Sequence, residues 1–199
     1  MLVHLLFEFF WIGAFLLAFV FFSRKKGVKT ALLFMVPAAM WGWLIEFFSI
    51  FIFHRYYYAA TYTIYALGVP LYVPLAWATV IFVGYYIITS KFHIKNLVKI
   101  ETMTATTATL FDIIMLEPLA FAYKFWLWTP ESIWFGAPLV NFIGWIFAIS
   151  LFVFAYKFAT EKVKGWKQQV VVLGGLVGVN LIVLETIVYI WLEALKITI

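Results

Sequence analysis

The sequence predicts an all-α, polytopic membrane protein: a compact bundle of about six transmembrane helices with both termini outside (N-out/C-out). Three observations carry that prediction. The chain is 66% hydrophobic, with a mean hydropathy of +1.05, well above the roughly half-apolar makeup of soluble domains. The apolar residues fall in runs of roughly 20, each long enough to cross ~30 Å of hydrocarbon. The basic residues gather in alternate interruptions between those runs.

The runs cover about 2–22, 30–53, 70–90, 100–122, 136–156 and 169–192. The gaps are too short to hold another domain, so residues 1–199 read as a single transmembrane helical domain. The first run is followed by Ser23-Arg24-Lys25-Lys26 and lacks a small-residue cleavage site, so it reads as a retained helix. Arg24, Lys25, Lys26 and Lys29 lie in the first interruption. Lys91, Lys95 and Lys99 lie in the third, and Lys157, Lys162, Lys164 and Lys167 in the fifth. Only Arg55, Lys124 and Lys196 fall on the other side. By the positive-inside rule the basic loops face the cytoplasm of a cell-membrane, multi-pass protein. The net charge of +5 resides mostly in these loops and does not point to nucleic acid.

The two long outer segments are rich in aromatics. One contains His54-Arg55-Tyr56-Tyr57-Tyr58, Tyr62 and Tyr65; the other contains Tyr123, Trp126, Trp128 and Trp134. They read either as an interfacial aromatic belt or as a pair of lids over a cavity.

A carboxylate inside a bilayer costs several kcal/mol, so each intramembrane acid is a functional candidate. Glu8, Glu46, Asp112, Glu117 and Glu185 fall within the runs. At ~1.5 Å per residue, Asp112 lies roughly 18 Å above the cytoplasmic start of its helix, and Glu46 and Glu185 about 25 Å. All five are expected between the midplane and the outer face, with Asn141 entering from outside. Glu8 and Glu185 are near enough to the surface to be solvated or to pair with Arg55 or Lys124. Asp112 and Glu117 are five residues apart, about 140° around an α-helix, so they border a wide cavity and do not aim at one spot. Glu117 precedes Pro118, which frees backbone carbonyls and favours a kink. Trp43 lies one turn from Glu46 on roughly the same face.

With no cysteine, disulfides and thiolate chemistry are excluded. His4, His54 and His93 are too scattered for a metal site, and no nucleophilic triad or phosphate-cradling turn is visible. Neither a metal nor a cofactor is expected. The Gly174-xxx-Gly178 spacing reads as a helix-packing face. A carboxylic acid in an apolar cavity stays protonated near neutrality and serves as a general acid. Aromatic faces around it stabilise a cation. Together these suit protonation of an electron-rich alkene in a membrane-resident isoprenoid, followed by capture of the tertiary cation by water.

The stretch Leu67-Gly68-Val69-Pro70-Leu71-Tyr72-Val73-Pro74-Leu75-Ala76-Trp77 resembles the "GVP…PLAW" signature of the carotenoid hydratase family, which includes the bisanhydrobacterioruberin hydratase-like proteins of archaea. Asp112, Glu117-Pro118, Ala120 and Trp126-x-Trp128 form a second similar block. Trp134-Phe135-Gly136-Ala137-Pro138, Asn141-Phe142 and Gly144-Trp145 form a third. The resemblance covers about 41–145; the first and last helices match only as hydrophobic segments. It implies addition of water across the terminal C1=C2 bond of an acyclic carotenoid by a cofactor-independent hydro-lyase, associated with lipid and with other carotenoid-synthesis enzymes. Carried over by position, Glu46, Asp112, Glu117 and Asn141 form the polar site. We assign Asp112 as proton donor and Glu117 or Glu46 to orient or deprotonate water. Tyr58, Trp77, Trp128, Trp145 and Trp43 are the expected cavity walls.

Three other readings compete. A carotenoid or isoprenoid cyclase or isomerase begins with the same protonation. A proton-coupled transporter or lipid-binding membrane protein would use the acids as a relay. A structural partner of a carotenoid-synthesis complex would use them only for interhelical hydrogen bonds.

Overall fold

The computed structural model describes residues 2–59, 61–132 and 134–196, with side chains through Trp191. Among the described residues, six helical rods are long and apolar enough to cross a membrane. They are α1 (Leu2–Lys26), α2 (Val28–Phe47), α3 (Tyr72–Tyr86), α4 with α5 (Leu97–Phe111 and Glu117–Tyr123), α6 (Leu139–Lys162) and α7 (Trp166–Lys196). Several rods run past the apolar stretches that announce them. Apolarity marks only the part of a helix that avoids water, while the backbone hydrogen-bond ladder continues until a cap or breaker stops it. Thus α1 continues through Arg24, Lys25 and Lys26, cations that suit the carbonyl end of a helix. Gly27, at φ 88°, alone separates α1 from α2. The side chain of Lys196, one of the three basic residues expected on the outer side, lies outside the described side chains.

The α2 and α3 helices are the most buried, and α1 and α7 leave most of their apolar surface exposed. Trp41, Phe34, Met35 and Ala38 of α2, Ile81 of α3, and Ile149 and Phe152 of α6 are fully enclosed. The Trp41 indole N–H, which could not be left unpaired there, donates to the Ala148 carbonyl at 2.9 Å. One contact in this core sets up the site. A Cβ on Gly42 would collide with Cβ and Cγ of Trp77, so glycine lets α3 lay Trp77 directly against α2. Glu46 is the next residue along that helix face, one turn on.

Three of the rods contain π-helical turns: Phe48–Ile52 ends α2, Ile87–Lys91 ends α3, and Asp112–Leu116 joins α4 to α5. In the last, the Glu117 N–H bonds back to the Asp112 carbonyl, five residues earlier. Pro118 has no N–H to bond to the carbonyl four residues back, and an i→i+5 turn absorbs that loss.

The loops at the end opposite most of the basic residues form a roof. Strand β1 (Tyr56–Tyr57) pairs antiparallel with β4 (Leu127–Trp128), Tyr56 opposite Trp128. Strands β2 (Tyr65–Ala66) and β3 (Val69–Pro70) form a hairpin. Its turn residues Leu67 and Gly68 have φ of 49° and 84°, the positive pair that a two-residue turn of this hand requires. Because strand side chains alternate, Tyr56 is 9% exposed and turned inward, while Tyr57 beside it is 52% exposed.

Gly42→Ala is expected to lower the thermal midpoint, at a cost of about 1–3 kcal/mol for overpacking a filled core. Gly174→Ala, where an added Cβ meets nothing within 4 Å, should not lower it. Thermal unfolding of the two variants in detergent checks the contrast.

Candidate active site

Beneath the roof lies a narrow chamber of about 70 Å³. Glu46 from α2, Asp112 and Glu117 from the π-helical turn and its end, and Asn141 from the first turn of α6 all line it. The three acids are 7%, 1% and 2% exposed. Burial on that scale demands hydrogen-bond donors, and aromatic side chains supply most of them.

Glu46 receives three. Trp77 Nε1–H donates to Oε1 at 2.9 Å. The Tyr58 hydroxyl donates to Oε2 at 2.6 Å, and the Tyr56 hydroxyl donates to the same oxygen. Glu117 also receives three: Trp128 Nε1–H at 3.0 Å and Trp126 Nε1–H at 3.3 Å to Oε2, and the Asn141 amide at 3.1 Å to Oε1. Asp112 receives one, from the same Asn141 amide nitrogen, at 3.0 Å to Oδ2. Asn141 therefore spends both amide hydrogens joining Asp112 to Glu117.

That bridge corrects the expectation that Asp112 and Glu117 diverge. The divergence of about 140° holds for an α-helix. The π-helical turn adds a residue to the winding, which brings residues five apart nearly into line. Asp112, Glu117, Glu46, Asn141, Tyr58, Trp77, Trp128 and Trp145 all meet at this chamber. Trp43 does not. Its indole N–H donates to the Ala66 carbonyl at 2.9 Å and its ring stacks on Phe47, so it holds the hairpin. Three residues along a helix leave a residual angle of about 60°, enough to send Trp43 and Glu46 to different neighbours.

The other two acids also stand apart. Glu8 is fully buried, yet it pairs with neither Arg55 nor Lys124. Its carboxylate accepts the backbone N–H groups of Thr63, at 2.9 Å, and Ile64, at 3.2 Å, and so pins the roof. Glu185 on α7 pairs with Arg55 at 2.8 Å, one of the pairings expected for it. Arg55 ties the roof in three further ways. Its Nη1 donates to Ser49 Oγ at 3.3 Å, its backbone N–H donates to the Ser49 carbonyl at 2.9 Å, and its carbonyl accepts the Thr129 N–H at 2.8 Å.

Sequence reasoning missed Tyr56 and Trp126 as site residues. A signal existed for Trp126: in Trp126-x-Trp128 the spacing of two puts both indoles on one face of an extended strand. Nothing in the tyrosine run identifies which hydroxyls turn inward, because that follows from pairing with a strand 70 residues away.

A family model described as carotenoid biosynthesis protein matches residues 4–198. The chain belongs to that family. The match reaches well beyond 41–145 and takes in the first and last helices, which carry the Glu8 pin and the Glu185 pair. No curated protein and no solved structure matches this carotenoid biosynthesis protein.

Burial, and next the charge of Glu46, pushes the phenols of Tyr56 and Tyr58 well above the ordinary tyrosine value. Burial carries Tyr62 to about 12. The neutral phenols thus favour the fold in full below pH ~10, and that contribution is lost as pH rises through the folded values. An ultraviolet titration should show Tyr56 and Tyr58 absent from the set ionising near pH 10 and appearing only as the protein unfolds. Separately, Arg55→Met is expected to destabilise the protein by about 1.5–3 kcal/mol, the scale of hydrogen bonds to charged groups. Arg55→Met with Glu185→Leu should recover much of that loss, since no unpaired charge remains. Thermal melts of the single and double variants test this.

Proposed function

We propose that the protein is a membrane-embedded carotenoid hydratase, a single transmembrane domain of the cell membrane with both termini outside. It adds water to the terminal C1=C2 bond of an acyclic carotenoid. Membership of the carotenoid biosynthesis family supports the substrate class. The observation that carries the reaction is the unequal supply of donors in the chamber. Glu46 and Glu117 each accept three hydrogen bonds, while Asp112 accepts one.

A carboxyl surrounded by donors is built to accept, because donors favour the charged form. The acid with the fewest donors in the driest setting is the one suited to hold a proton and release it to substrate. Asp112 protonates C2, and the π electrons of the double bond form the new C–H bond. The tertiary cation left at C1 sits among the indoles of Trp77, Trp128 and Trp145, whose ring faces favour positive charge. Water attacks C1, and Glu117 or Glu46 takes the proton that the attacking water loses. Return of that proton to Asp112 closes the cycle. The balance is alkene plus water to tertiary alcohol, with no net proton, electron or cofactor consumed.

A cyclase or isomerase would share the first step, and the products separate the readings. Hydration incorporates one oxygen from heavy-isotope water, while cyclisation and isomerisation incorporate none. With lycopene as substrate, the purified protein is expected to give a labelled tertiary alcohol. Asp112→Asn should reduce the rate by about 10²–10⁴-fold, the usual contribution of a general acid, and Glu46→Gln by a smaller factor. Unlabelled product from every acyclic carotenoid tried would overturn the assignment.

A further inference from the structure

A second space near the acids is larger than the chamber. A cleft of about 480 Å³ lies between α2, α6 and α7 under the roof. It shares a wall with the chamber, since Glu46, Tyr56, Trp77, Trp128, Asn141 and Trp145 line both. The two spaces differ in capacity. At about 70 Å³ the chamber is far below the roughly 300–1,000 Å³ of ordinary ligand sites, too little for more than the tip of a hydrocarbon chain. The cleft falls within that range.

The lining of the cleft points to an uncharged, elongated ligand. Its floor is apolar: Ile45 on α2, Gly144 and Ala148 on α6, Leu184 and Val188 on α7. Trp77 and Trp145 stack at 4.2 Å with an interplanar angle of 22° on the boundary between cleft and chamber. Such indoles suit contact with a flat π system. Among the charged residues that line the cleft, Arg55 and Glu185 are bonded to each other at 2.8 Å, Glu46 is held by three donors, and Glu131 is exposed to solvent, so the enclosed part calls for no charged partner. Gly144 keeps the floor open. A Cβ there would be 3.8 Å from Val188 Cγ2, so a larger side chain would reach into the space between α6 and α7.

We propose that this cleft binds the conjugated chain of the substrate next to its reacting end, and that Gly144 is a specificity-determining residue that admits a long chain. The end group passes the Trp77–Trp145 stack into the acid chamber while the chain lies along α6 and α7. This assignment deepens the hydratase reading and rests on it for its kinetic half alone.

The test uses full-length protein in detergent, with lycopene and a short acyclic diene of two isoprene units that has the same terminal alkene. Gly144→Leu fills the cleft from α6, and Val188→Phe fills it from α7 should the first variant fold poorly. Binding is read from the circular dichroism induced in the lycopene absorption band, and hydration from heavy-isotope water. The wild type is expected to bind lycopene. A cleft-filled variant should bind it at least about tenfold more weakly, equivalent to ~1.4 kcal/mol, with KM raised to match. Turnover of the short diene should stay within about twofold, a difference of under ~0.5 kcal/mol. Unchanged lycopene binding in both folded variants would overturn the proposal, as would equal loss of turnover on the two substrates. If lycopene binds, the variants lose it and no label enters either substrate, the cleft assignment stands and the hydratase reading falls.

Discussion

Three carboxyls sit within one apolar chamber, and the cost of removing them from water constrains everything around them. A buried carboxylate without partners is expensive enough to unfold a small protein or to force the group to neutralise. The chain meets this constraint with side chains that are mostly ring, each bringing a single N–H or O–H to the acid and an apolar body to its neighbours. Trp77, Trp126, Trp128, Tyr56 and Tyr58 are donors of this kind. The same residues that satisfy the acids thereby make the chamber aromatic. The high aromatic content and the buried acids are two sides of one arrangement.

The donors come from elements that are far apart in the chain, so the acids act as clamps between them. Glu46 on α2 gathers α3 through Trp77 and the first roof segment through Tyr56 and Tyr58. Glu117 gathers the second roof segment through Trp126 and Trp128 and α6 through Asn141. The β1–β4 pairing then joins the two roof segments. Glu8 and Arg55 hold the outer parts of that roof, from α1 and toward α7 respectively.

Backbone geometry sets the chemistry at one further point. Asn141 can bridge Asp112 and Glu117 only because the helix winds as a π-helical turn between them. Pro118 follows directly, and its missing N–H makes that winding less costly than it would be in an unbroken α-helix. The result is a pair of carboxyls held by one amide and supplied with unequal numbers of donors. That asymmetry is the basis for the different roles proposed for the two carboxyls.

The sequence by itself determined the six apolar rods, because lipid-compatible length and composition leave a long unbroken signal. It also singled out Glu46, Asp112, Glu117 and Asn141 as candidates, since polar groups within such rods are costly and need a reason, and the four line one chamber. Tertiary structure decided how these residues divide. It set Glu8 against the roof amides and Glu185 against Arg55, although depth along a helix had placed them level with the others. It turned Trp43 toward the hairpin and Trp77 toward Glu46, a choice made by the absence of a side chain at Gly42. It brought Asp112 and Glu117 together against the α-helical period. The physical reason is the same in each case. Hydropathy and spacing report on one segment at a time, whereas a buried donor finds its acceptor only when packing brings distant segments into contact.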